Sequence, residues 1–134
     1  MIVDTSALTA SLRSEPEADD FMHAILGAEG ARISAATLLE AAMVAVGRKG
    51  PDGREDVYAL CDALGLEIAA FTPEQARLAA EAFLKFGKGR HSAKLNYGDC
   101  ISYALAKAVE QPLLFKGDDF SKTDVQPALA RKEG

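Results

Sequence analysis

Short apolar runs alternate with longer stretches of helical period along this chain of 134 residues. The runs at residues 2–3, 31–34, 66–71 and 112–116 are flanked by glycine, proline or polar residues and read as buried strands. Between them the spacing of apolar positions is helical. Asp4-Thr5-Ser6 hands the first strand over to a helix through Leu12, and Glu15-Pro16-Glu17 opens a second with Phe21, Met22, Ile25 and Leu26 as its core face. From Ala35 a third helix carries Ala35, Leu38, Leu39, Ala42, Met43 and Val46 at helical spacing, a stripe predicted to face the core. The glycine-rich stretch 47–53 reads as the clearest loop, after which Val57, Leu60, Cys61 and Leu64 mark a fourth helix. A capping-box pattern at Thr72-Pro73-Glu74-Gln75 begins a fifth, with Ala76, Ala79, Ala80 and Phe83 expected inward. Asn96 is the expected N-cap of the last helix, whose Ile101, Ala104, Leu105, Ala108 and Val109 form one apolar stripe. Strands alternating with helices predict an α/β fold with a central parallel sheet flanked by helices on both faces.

The length fits a single domain over residues 1–134, with the polar segment 128–134 expected to fray. Hydrophobic residues make up 49% and charged residues 26%, which sets aside disordered, collagen-like and repeat classes. No apolar run reaches the roughly 20 residues that span a bilayer. The opening MIVDTS lacks the basic region and cleavage site of a secretory leader, so the expectation is a cytoplasmic protein without a membrane partner. Cys61 and Cys100 sit inside helical patterns without paired zinc-ligand spacing, so free thiols and no zinc are expected. A net charge of −5 argues against nonspecific adhesion to nucleic acid. It does not exclude a nuclease, because carboxylates that gather around divalent cations add formal charge that the ions neutralise.

The candidate chemistry lies in a few acids. Asp4 falls at the C-terminal end of a strand, the edge where open parallel sheets bind ligands, although it could equally cap the helix that follows. Glu40 is the only charge between Arg32 and Arg48, and an isolated carboxylate in such apolar surroundings needs a cation. Asp99 lies in the first turn of the last helix, off the centre of its stripe, where it either stabilises its own helix start or faces a cleft. Asp118 repeats the placement of Asp4 after the last strand, with Asp119 adjacent and Asp124 close, and spacing does not fix which of them points inward. Acids without histidine or cysteine suit hard cations, Mg²⁺ or Mn²⁺, in either a one-metal or a two-metal arrangement. The segment KFGKGRHSAK at 85–94 holds Lys85, Lys88, Arg90 and Lys94 with His91 and no acid, and is expected to be a flexible loop able to hold a phosphate backbone.

The segments MIVDTSAL, SAATLLEAA, NYGDCISYALAK and PLLFKGDDF, in this order and spacing, resemble the PIN-domain ribonucleases, specifically the VapC toxins of bacterial toxin-antitoxin modules. The resemblance covers nearly the whole chain. It implies a divalent-metal-dependent endoribonuclease that hydrolyses RNA, forms a homodimer and is inhibited by a VapB-like antitoxin. Carried over residue by residue, the acidic site that holds the metal and performs catalysis matches Asp4, Glu40, Asp99 and Asp118. Thr5 and Ser6 match the polar residues after the first acid and, with Lys88, Arg90 and Lys94, are assigned to substrate binding. One alternative is a phospho-receiver domain with Lys116 near its last strand, which lacks a central phosphoacceptor aspartate because the strand at 66–71 ends in Phe71-Thr72. Another is a noncatalytic binding module whose acids merely cap helices, a reading that leaves Glu40 unexplained.

Overall fold

The computed structural model describes residues 1–130. Strands β1 (Ile2–Val3), β2 (Arg32–Ser34), β3 (Glu67–Ala69) and β4 (Leu113–Leu114) form one parallel sheet in the order β3-β2-β1-β4. Six helices join them: α1 (Thr5–Leu12), α2 (Ala18–Gly27), α3 (Ala35–Lys49), α4 (Asp52–Ala63), α5 (Pro73–Phe86) and α6 (Tyr97–Val109). A short 3-10 helix, η1 (Phe120–Lys122), follows β4. Alternation along the strands divides the core in two, because successive side chains point to opposite faces. Val3, Ile33 and Leu114 pack with Leu8, Phe21, Ile25, Val57 and Cys61 from α1, α2 and α4. Ile2 and Leu113 pack on the other face with Ala82, Tyr103, Leu105 and Phe120. Helices thus cover both faces of a parallel sheet. The chain runs outward from β1 through β2 to β3, then returns to place β4 on the other side of β1. That reversal makes a topological switch point between β1 and β4, the place where such sheets bind ligands.

Several local expectations require correction. The loop expected at 47–53 is shorter, because α3 continues through Lys49 and α4 starts at Asp52. Helix α2 begins at Ala18, and Glu15 to Glu17 form a turn before it. Helix α3 is rotated relative to its predicted face: Thr37, Ala41 and Ala42 are buried, whereas Leu39 is 61% and Met43 65% exposed. Small residues win the inner face because α4 comes very close. A Cβ on Gly53 would lie 2.3 Å from the Ala45 carbonyl oxygen, an approach that larger side chains on α3 would prevent. In α5 the inward face is Gln75, Leu78, Ala79, Ala82 and Phe86, while Ala76, Ala80 and Phe83 face out. Gln75 accounts for this, since it is buried and its side-chain amide donates to the Ala70 carbonyl at 3.3 Å. Of the tail expected to fray, residues 131–134 lie outside the described residues. Ala128 is tied to the sheet edge, its N–H donating to the Leu113 carbonyl at 2.8 Å.

Candidate active site

The acids converge because three elements begin or end at the switch point. Asp4 follows β1 directly and caps α1 in extended conformation, so it is a helix cap that also stands at the C-terminal edge of the sheet. Its Oδ2 accepts from the Ser6 amide at 3.0 Å and the Ser6 hydroxyl at 2.7 Å, and its Oδ1 accepts from Ser102 Oγ at 2.6 Å. Only 3% of its surface is exposed. Ser34 caps α3, which carries Glu40 to the same edge, where Thr5 Oγ1 donates to it at 2.5 Å. Asn96 and Asp99 form a reciprocal capping box at the start of α6: Asp99 N–H donates to Asn96 Oδ1 at 2.9 Å and Asn96 N–H donates to Asp99 Oδ2 at 3.0 Å.

Electrostatics show that these carboxylates share one region. Burial, countered by the Asn96 amide, pushes Asp99 up to about 6, and the charges of Asp4, Asp119 and Glu40 push in the same direction. Asp119, adjacent to the Asp118 matched from sequence, is an acid after β4 whose charge acts on Asp99. Asp118 also lines a cleft of about 350 Å³ with Glu17, Phe21, Phe115 and Lys116. Lys116 pairs with Glu15 and, at 3.0 Å, with Glu17, so its charge is already matched. Among the described residues no three acidic, histidine or cysteine side chains stand close enough to enclose an ion as they are. The donor set nevertheless has the chemistry of a hard-cation site: all oxygen, excess negative charge, and no ammonium or guanidinium paired with Asp4, Glu40 or Asp99 among the described residues. Cys100, next to Asp99, is raised to about 11 by burial and is a poor thiolate at neutral pH.

The other assigned residues fall into two groups. Thr5 and Ser6 orient acids, and Ser6 Oγ also accepts the Lys116 amide at 3.0 Å, tying α1 to the segment after β4. Lys88, Arg90 and Lys94 are exposed and form no ion pair among the described residues. Their loop, expected to be flexible, makes a set of backbone hydrogen bonds. Lys88 N–H donates to the Leu95 carbonyl at 2.9 Å, Leu95 N–H to Phe86 at 3.0 Å, and His91 N–H to Gly87 at 3.0 Å, with the Phe86 and His91 rings edge to face. Lys122 of η1 reaches the Ser92 carbonyl at 3.4 Å, joining this basic loop to the segment that carries Asp119.

Three further residues escaped the sequence reading. Ser102 is fully buried, donates to Asp4 and contacts Thr37 Oγ1 at 3.2 Å. The signal was present: Ser102 follows Asp99 by three positions and Thr37 precedes Glu40 by three, so each shares a helix face with an acid. Gly98 is the third, because a Cβ there would lie 1.9 Å from Glu40 Oε2. Gly98→Ala is expected to displace the Glu40 carboxylate from the first turn of α6. Turnover should fall at least about tenfold, the size of effect that a small misplacement of reacting groups produces, and parent-like turnover would show that Glu40 need not lie there.

A family model of the PIN domain matches residues 1–126, so the sheet, the switch point and the acidic edge are those of a PIN domain. The chain is 44% identical over 125 residues to VapC ribonuclease Mb0640 of Mycobacterium bovis, covering 93% of this chain and 95% of that protein. It is also 44% identical over 125 residues to a ribonuclease VapC of Mycolicibacterium smegmatis, covering 93% and 97%. The chain belongs to the VapC ribonuclease family of PIN domains. Among solved structures it resembles VapC20 of Mycobacterium tuberculosis, a sarcin-ricin-loop-cleaving toxin, with a TM-score of 0.71 at 17% identity over 94% of this chain and 98% of that one. VapBC2 of Rickettsia felis, bound to a promoter DNA fragment, matches with a TM-score of 0.73 at 12% identity over 94% of each chain. These identities speak to the fold alone.

Proposed function

We propose that the chain is a divalent-metal-dependent endoribonuclease and the toxin of a toxin-antitoxin pair. The observation that carries this is the acidic edge at the switch point, where Asp99 is raised to about 6 by burial and by neighbouring carboxylates that no basic side chain among the described residues pairs with. Asp4 and Asp99, flanked by Glu40 and Asp119, would hold Mg²⁺ or Mn²⁺ once the carboxylates draw inward. Such an ion, when bound, offsets charge on the scissile phosphate and makes a water more acidic. The chain's own part is orientation: Ser6 and Ser102 fix both oxygens of Asp4, Thr5 fixes Glu40, and the Asn96 amide fixes Asp99. Lys88, Arg90 and Lys94 would hold phosphates of the same strand beside it.

The named relatives are ribonucleases, and a toxin-antitoxin complex from Klebsiella pneumoniae contains a chain of this fold at a TM-score of 0.68, which supports a VapB-like partner here. The outward stripe of α3, Leu39, Met43 and Val46, supports association either with that antitoxin or with a second copy. The capping roles of Asp4 and Asp99 favour the noncatalytic reading, and one experiment decides between them. Purified chain incubated with total RNA should cleave in Mg²⁺ or Mn²⁺ and stop in EDTA. RNA left intact under every metal condition would reject the enzyme and leave the binding module.

A further inference from the structure

Tyr97 is 83% exposed, the largest fraction among the exposed large hydrophobic residues described. It opens α6 between Asn96, the N-cap, and Gly98, against whose backbone the Glu40 carboxylate lies. Its ring makes no aromatic contact and its hydroxyl no hydrogen bond among the described residues. The ring therefore adds nothing to the core. Side chains lean toward the N-terminus of their helix, so a ring at the first position extends past the helix start, toward the loop from which the chain arrives. That loop presents Lys88, Arg90 and Lys94 without ion-pair partners among the described residues, with Lys122 of η1 alongside.

An uncovered aromatic side chain in the segment that links the basic loop to Asp99 matches the composition of single-strand binding sites, where bases stack on rings while basic groups track the backbone. We propose that Tyr97 is a stacking platform for one unpaired base of a single-stranded RNA, adjacent to the phosphate that lies at the acids. A base inside a duplex is already stacked on both sides and cannot reach it without being extruded. The site therefore selects unpaired RNA, and Tyr97 positions the strand without touching the reacting atoms. The cleavage arm of the test rests on the ribonuclease reading, whereas the binding arm does not.

The chain contains no tryptophan, so Tyr97→Trp installs a single indole, excited selectively beyond the tyrosine band, at this position. In an Asp4→Asn background, chosen to suppress cutting, titration with a single-stranded RNA of about 12 nucleotides is expected to quench the indole. The same strand annealed to its complement, or lacking bases near the site, should leave the emission nearly unchanged. In the otherwise unaltered chain, Tyr97→Ala should raise KM for single-stranded RNA about tenfold or more with kcat little changed, and Tyr97→Phe should restore it. Unquenched emission, whether the labelled strand is seen to bind or fails to bind, overturns the proposal. So does parent-like KM in Tyr97→Ala. An emission shift that follows protein concentration alone also overturns it and assigns Tyr97 to an interface between copies. If the parent cleaves no RNA in either metal, the ribonuclease reading falls and the quenching experiment still decides the role of Tyr97.

Discussion

Asp4→Asn is expected to lower RNA cleavage by about 10³-fold or more while the chain stays folded, the scale on which removal of a principal charge-stabilising group acts. The fold should tolerate the change because asparagine is nearly the same shape and an equally good N-cap. Its amide oxygen can take over the two bonds from Ser6, at 3.0 and 2.7 Å. The amide nitrogen then faces Ser102, whose hydroxyl is both donor and acceptor and can turn to donate to Thr37 Oγ1, 3.2 Å away. Every buried polar atom keeps a partner, so stability should change by no more than about 1 kcal/mol. The negative charge is what is lost. Melting curves and cleavage assays on the same preparation check both halves, and a folded variant that cuts at the parent rate would remove Asp4 from the chemistry.

The second large effect is on stability and comes from Asp99. Its folded pKa of about 6 lies above the usual aspartate value, so the folded state holds this proton more tightly than the unfolded chain does. The resulting stabilisation is complete below the unfolded pKa of about 4 and is lost as pH rises through 6. In EDTA the parent should therefore melt higher at pH 5 than at pH 7.5. A two-unit shift is about 3 kcal/mol at face value, and solvent reaching this partly exposed carboxyl reduces that to about 1 to 2 kcal/mol. Asp99→Asn keeps the acceptor for the Asn96 amide but removes the charge. It gives up a favourable interaction with the α6 dipole, typically about 0.3 to 1 kcal/mol. Repulsion from Asp4, Asp119 and Glu40 together with burial outweighs that loss, so the variant should melt a few degrees above the parent in EDTA at pH 7.5. The gap should close at pH 5, where the parent carboxyl is protonated. In saturating Mg²⁺ it should narrow or reverse, because the ion stabilises the parent by mass action. A variant that melts below the parent at pH 7.5 in EDTA, with the gap unmoved by metal, would make Asp99 a capping residue only.

The positions of Asp4, Glu40 and Asp99 were legible because each interrupts a local rule: a polar residue ending a buried strand, a lone charge on an apolar helix, a carboxylate beside an N-cap. The strand and helix order was legible for the same reason, since apolar period changes wherever the chain changes element. What periodicity could not do was tell a core face from a face left for something else. Leu39, Met43 and Val46 repeat as regularly as core residues, yet the face that packs is the small one, selected by the close approach of α4 near Gly53. The choice between Asp118 and Asp119 was likewise hidden, because it depends on the path of the turn after β4, which no spacing rule encodes. Ser102 and Gly98 were missed because they act on acids distant in sequence: Ser102 on Asp4 and Gly98 on Glu40.

The pairing of β1 with β4 joins Ile2 to Leu113 and Val3 to Leu114, nearly the full length of the chain apart. During synthesis Asp4 leaves the ribosome well before α6, β4 and the segment carrying Asp119, which follow more than 90 residues later. At roughly 5 to 20 residues per second that gap is on the order of ten seconds. Until it closes, Asp4 lacks Ser102, Asp99 and Asp119, and the acidic edge is incomplete. The same long-range closure makes β1 exacting about its partner: a chain that stops before residue 113 leaves the strand unpaired on that side and the acidic edge open.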